Sequence, residues 1–353
     1  MDSTGAVRLA FVDSMRLFAA LLVLVQHIFE ARVGFAKTYI IPLAPGVAGV
    51  AIFFFISGYV IPMATKHGFE WRAFMIRRLF RIYPLYLVAL LLMAVAGGLQ
   101  FLPQLSYVNV ASVRTWAANL LLIAEYVGAR PFLGVSWTLA VELVWYALFA
   151  ASIIMFGKRA ADRLDVFIPV SFVALALLSL MIDTRIPLGR PTMIYAAVLG
   201  FQCYRFHSGD ITARRLTQSI ATFALVALFG TYVAFGYFDH PNLTLAQAMG
   251  PWIFATTIFL MWVLYRPWRE LTLLNRGVLP ALGAMSYSIY LLHPFATAAA
   301  DVYLAPDLQV PAAIIATFAL AWLGFYLVEK PGIKLGRFLT DGWPRRFGKA
   351  RLT

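Results

Sequence analysis

The chain has 353 residues, 62% of them hydrophobic and only 13% charged, where a soluble domain carries about 25% charged residues. That balance excludes a soluble globular protein, a disordered chain and a nucleic-acid-binding domain, and leaves an all-α polytopic membrane protein. The net charge of +13 then speaks first of topology, because basic residues are retained on the cytoplasmic side.

A spanning helix needs roughly 20 apolar residues, and ten segments qualify. The first, 9–29, is too long for a signal-peptide core and carries charge, so it reads as a retained anchor. It holds Asp13, Arg16 and His27. Asp13 and Arg16 are neighbours on one helix face. Arg16 and His27, eleven residues apart, share a face about 16 Å apart along the axis. Arg16 either pairs with Asp13 to hold the helix in register or serves chemistry; His27 is either interhelical glue or a proton acceptor.

The second segment, 45–65, contains Phe53-Phe54-Phe55-Ile56-Ser57-Gly58-Tyr59, where Ser57-Gly58 permits close helix approach. Arg77-Arg78-Leu79-Phe80-Arg81-Ile82-Tyr83-Pro84 leads into the third, 79–99. At these spacings the three arginines can face one way at its mouth, an array that suits phosphate oxygens or simply anchors the loop. Segment 113–127 is apolar but short, and contains Asn119 and Glu125; it suits an interfacial or re-entrant piece better than a span. The fourth segment, 135–156, opens with Ser136-Trp137-Thr138 and holds Glu142. Glu142 falls about 10 Å below the outer end, in the same leaflet as His27, where it either orients that imidazole or binds helices together.

Segments 166–182, 190–205, 216–237 and 247–265 carry no comparable cluster. The ninth, 280–299, carries Ser286-Tyr287-Ser288 and His293-Pro294; His293 either lines a cavity or satisfies a carbonyl freed by Pro294. The tenth is 309–329, and residues 331–353 form a short basic cytoplasmic tail after a 1–330 membrane domain. With both termini in the cytoplasm, 22 of the 29 basic residues fall inside and 6 outside. Counting 113–127 as a span would turn sixteen downstream basic residues outward, against the positive-inside rule. His67, His207 and His240 fall in loops and read as solvated. No two histidines have metal-ligand spacing on one helix, the single Cys203 excludes a cysteine cluster, and neither a phosphate loop nor a nucleophile elbow is present.

Taken together, these motifs resemble the acyltransferase 3 family of integral-membrane acyltransferases, which modify O-antigens, exopolysaccharides, nodulation factors and macrolides. Arg16, ten residues and His27 are similar to its first-helix signature. Phe53 to Tyr59, Arg77 to Pro84, Ser136 to Glu142 and Ser286 to Pro294 are similar to its next four motifs, in order along almost the whole chain. Relatives often have a second glutamate where Leu143 stands, and longer ones carry a C-terminal esterase-like domain not expected here.

The resemblance implies transfer of an acyl group, acetyl by expectation, from cytoplasmic acyl-CoA to a hydroxyl on a saccharide or glycolipid, in the bacterial inner membrane. His27 would be the general base or would carry the acyl group transiently. Glu142 or Asp13 would orient charge, and Arg16 would contact donor phosphate or the oxyanion. Arg77, Arg78, Arg81, Tyr83 and Ser57 would contact acyl-CoA, and Trp137, Tyr287 and His293 the acceptor. No metal and no resident cofactor are expected; the partners are acyl-CoA, the acceptor and membrane lipids. The competing class is a flippase for a lipid-linked glycan, which would also place charged groups in the bilayer.

Overall fold

The computed structural model describes residues 9–30, 43–65, 68–238 and 243–342. Among the described residues every regular element is helical and no strand occurs, as hydrocarbon requires, since a helix satisfies its backbone within its own segment. The helices are α1 (Ala10–Phe29), α2 (Pro45–Val60), α3 (Trp71–Gly98), α4 (Val113–Leu120), α5 (Trp137–Phe156), α6 (Ala160–Met181), α7 (Gly189–Ser208), α8 (Ala213–Tyr232), α9 (Leu245–Leu264), α10 (Arg266–Glu270), α11 (Thr272–Asn275), α12 (Val278–Gly283), α13 (Ser286–Tyr303), α14 (Pro306–Gly324) and α15 (Lys330–Phe338).

Seven helical runs are long and apolar enough to cross a membrane. One of them, Gly134–Met181, has 48 residues and would be about 70 Å long if straight, twice the hydrocarbon thickness. Gly157, at φ 52°, breaks it into α5 and α6, where two separate spans are expected. α7 covers the expected segment 190–205, whereas the expected 280–299 is broken at Ala284-Met285 into α12 and α13; neither α7 nor α13 counts among the seven. Several residues of the charge count (Arg8, Arg32, Lys37, Lys66, Arg345, Arg346, Lys349 and Arg351) lie outside the described residues, as do His67 and His240.

The chain divides into two compact units, Met1–Val60 with Pro169–Tyr287 and Ile61–Ile168 with Ser288–Thr353. In the first, α2 and α7 pack backbone to backbone. A Cβ on Gly58 would lie 1.7 Å from the Ala197 carbonyl oxygen, and one on Gly200 would lie 2.1 Å from that of Phe55. Small residues thus bring the two helices together where lipid offers no hydrophobic incentive. Phe55 stacks on Phe259 of α9 with ring centroids 4.8 Å apart. α12 meets the start of α1 through Gly283, against the Asp13 carbonyl, and Ser14 Oγ donates to Leu274 O at 2.8 Å.

In the second unit, the Glu70 carboxylate caps α3 by accepting from the Arg72 and Ala73 amides. α15 lies on α3, with Gly332 and Gly336 against Pro84 and Phe80. The 113–127 segment does not span: α4 has eight residues, about 12 Å of helix. Buried Asn119 pins the chain between α4 and α5. Its Nδ2 donates to the Thr115 and Arg130 carbonyls, its Oδ1 accepts from Phe132 N, and its own carbonyl accepts from Tyr86 Oη at 2.7 Å.

Candidate functional site

The first unit carries α1. Asp13 is 5% exposed and accepts a 3.0 Å hydrogen bond from Arg16 Nη1, so the pair expected from the spacing forms. α1 is continuous from Ala10 to Phe29, which preserves the separation of Arg16 from His27. His27 is exposed near the other end. Its Nδ1 lies 3.0 Å from Val23 O. A carbonyl only accepts, so Nδ1 carries the proton and Nε2 is the basic nitrogen of the neutral ring. Ser57 is half-buried on α2.

His207 departs from its expected solvated place. It sits on the last turn of α7, beyond the expected 190–205 span. Its Nδ1 is 2.7 Å from Tyr59 Oη and its Nε2 is 2.8 Å from Arg269 Nη1. Burial, and then the Arg269 charge, push its pKa down to about 4, so the ring is neutral near neutral pH. The loop reading failed because the apolar run stops before the helix does.

In the second unit the arginine trio does not face one way. Arg77 Nε donates to Thr340 Oγ1 at 2.6 Å, and its guanidinium approaches Asp341 at 3.8 Å, both just past α15. Arg78 turns inward over the rings of Phe74 and Tyr146, 5.3 and 5.4 Å from their centroids. Consecutive helical residues diverge by about 100°, and this separates them. Arg81 and Arg78 both bear electrostatically on Tyr146, whose hydroxyl donates to Glu142. The sequence placed Arg78 at the mouth of the third span and Glu142 near the outer end of the fourth. In the structure α3 begins at Trp71, so Arg78 lies about 10 Å inside it, level with Tyr146. Glu142 is therefore joined through Tyr146 to Arg78. Tyr83 packs edge-on to Tyr86, with centroids 6.2 Å apart.

His293 is fully buried, and its Nδ1 donates to Tyr290 O at 2.8 Å. Pro294 has no N–H, so Tyr290, four residues earlier, lacks its helical donor. His293 repairs that bond, which is one of the two roles expected for it. Tyr290 Oη in turn lies 2.8 Å from Thr138 Oγ1 and donates to Val135 O, which ties α13 to the start of α5. Trp137 lines a small cleft with Tyr86, Glu125, Tyr126 and Ser136. Tyr287 is half-buried at the start of α13. The sequence reading named Ser288 without a partner; its hydroxyl donates to the buried Glu329 carboxylate at 2.6 Å. A carboxylate inside an otherwise apolar segment was the signal for it.

A family model described as an acyltransferase domain matches residues 9–326. Nodulation protein 10 of Rhizobium leguminosarum bv. viciae is 30% identical over 151 residues, 38% of this chain and 41% of that protein. Acyltransferase MdmB of Streptomyces mycarofaciens is 30% identical over 156 residues, 40% of this chain and 38% of that protein. The chain thus spans about two fifths of the length of these curated relatives. No solved structure matches it.

Proposed function

Because the chain belongs to the acyltransferase 3 family, matching it over residues 9–326, we propose that it is a multi-pass membrane O-acyltransferase. It moves an acyl group, acetyl in the first instance, from cytoplasmic acyl-CoA to a hydroxyl of a cell-surface or lipid-linked saccharide. The proposed location is the bacterial inner membrane, with both termini in the cytoplasm. The hydrogen bonds among Tyr59, His207 and Arg269 support that topology. They draw together the ends of α2, α7 and α9–α10, which the charge count assigns to one side.

The observation that carries the reading is the 3.0 Å approach of His27 Nδ1 to Val23 O. With Nδ1–H committed to Val23 O, Nε2 takes the acceptor's hydroxyl proton as that oxygen bonds to the thioester carbonyl carbon. The C–S bond then breaks, and the CoA thiolate leaves and takes up the proton. Arg16 lies about 16 Å from His27 along α1, too far for both to serve one carbonyl. Arg16, held by Asp13, therefore suits a donor phosphate rather than the oxyanion. In the second unit, Arg77, Arg81 and Tyr83 are the proposed donor contacts. Arg78 instead sets the charge around Tyr146 and Glu142.

The test is transfer of radiolabel from acetyl-CoA to saccharide hydroxyls in membranes containing the full chain. Label in an alkali-labile ester supports the reading. Glycan translocation that proceeds without acyl-CoA, and no ester label, would replace it with the flippase.

A further inference from the structure

We propose that Arg269 and Tyr59, set by His207, form a phosphate-ester binding site in the first unit. The proton inventory leads there. A guanidinium only donates, so His207 Nε2 accepts from Arg269 Nη1. The His207 proton is then on Nδ1 and is donated to Tyr59 Oη. That leaves Tyr59, 5% exposed, with its own hydroxyl hydrogen pointing elsewhere and no acceptor for it among the described residues.

Arg269 has the same surplus. Its Nε is buried without a hydrogen-bond partner, and it holds no ion pair among the described residues. The neighbouring carboxylate, Glu270, is engaged by Arg266 at 2.7 Å. What remains around His207 is therefore a set of donors and a positive charge, with no carboxylate bonded to them among the described residues; the nearby Asp210 accepts the Ser208 hydroxyl instead. An unpaired half-buried guanidinium is costly, and a tetrahedral phosphate oxygen pair matches its fork while a third oxygen takes the tyrosine hydroxyl. Two tethers hold the site to the Arg16 end of α1: Asn275 Nδ2 donates to Arg269 O at 2.5 Å, and Ser14 Oγ donates to the carbonyl of Leu274.

The phosphate ester has two sources, the nucleotide portion of acyl-CoA or an anionic lipid headgroup. In the first case the inference deepens the acyl-transfer reading and rests on it. Two binding measurements on the full chain in nanodiscs separate them, and neither needs turnover. One is CoA affinity in phosphatidylcholine discs; the other is retention of phosphatidylglycerol by native mass spectrometry. Arg269→Gln is expected to weaken one of the two about tenfold or more, and Tyr59→Phe the same one about threefold to tenfold. Arg266→Gln, exposed and paired with Glu270, is expected to change neither.

Weakened CoA binding assigns the site to the donor, and weakened lipid retention assigns it to the membrane. Unchanged binding of both in Arg269→Gln overturns the proposal, as does an equal loss in Arg266→Gln. If Arg269→Gln fails to fold, Tyr59→Phe, which removes one hydroxyl, decides. Acetyl transfer that proceeds in wild type while Arg269→Gln binds both ligands normally would sink this site alone; altered binding without any transfer in wild type would sink only the acyl-transfer reading.

Discussion

Gly58→Ala is the sharpest structural perturbation available, because the new methyl meets backbone. The added Cβ would lie 1.7 Å from Ala197 O, 2.5 Å from its carbonyl carbon and 2.7 Å from its Cα. No rotamer relieves that overlap. α2 and α7 must separate by roughly 1.3 Å to restore even a 3.0 Å contact. Gly200 presses from the other side, 2.1 Å from Phe55 O for the same construction, so sliding one helix does not help. Parting the helices forfeits dispersion along the whole seam and pulls Tyr59 away from the 2.7 Å bond to His207. The cost is expected at the upper end of overpacking, about 3 kcal/mol, or roughly 100-fold in the folded population. Thermal melts of detergent-solubilised protein, followed by size-exclusion fluorescence, measure it. Gly250→Ala is the control: nothing lies within 4 Å of its Cβ, and it is expected to be neutral or to stabilise by about 0.5–1 kcal/mol. Gly58→Ala melting with wild type, or both variants losing equally, would refute the close-approach account.

His293→Ala leaves the Tyr290 carbonyl without the donor that replaces Pro294, and should cost about 1–3 kcal/mol in melting stability while folded molecules keep acyl transfer. Loss of transfer at an unchanged melting temperature would instead restore an acceptor role for that ring. Tyr146→Phe removes the hydroxyl bonded to Glu142, and a similar drop in melting temperature is expected. His207 gives a pH dependence. Its folded pKa is about 4 against an ordinary 6.5, so between these values the unfolded chain holds the extra proton. Its contribution to stability is intact above pH 6.5 and lost as the pH falls towards 4. Melts from pH 7 to 4.5 should show wild type losing more stability than His207→Gln; parallel curves would contradict the buried, Arg269-bonded ring.

The spans were legible because hydrophobic length is what a bilayer selects. Eight of the ten expected segments overlap the seven long apolar runs. The short 113–127 piece was also readable, from its length and from Asn119 and Glu125 within it. Helix ends were less legible where polar residues continue a helix past its apolar stretch. α3 starts at Trp71 because Glu70 caps it, eight residues before the hydropathy rises, so Arg78 is a helical residue over Tyr146 rather than the end of a loop. The same offset at the far end of α7 hid His207. Its partners, Tyr59 and Arg269, are distant in sequence and meet only because Gly58 and Gly200 let α2 and α7 touch. His293 was legible in kind, since a histidine beside a helical proline has an orphaned carbonyl within reach, and the Nδ1–Tyr290 bond is that repair.

The central claim, that Nε2 of His27 accepts the acceptor's proton, is tested most directly by single-turnover acetyl transfer in His27→Ala membranes, with CoA affinity measured on the same preparation. The account predicts a loss of transfer of about 10²–10⁴-fold with CoA affinity unchanged, because the substitution removes only the base. Transfer at the wild-type rate by folded His27→Ala protein would contradict it.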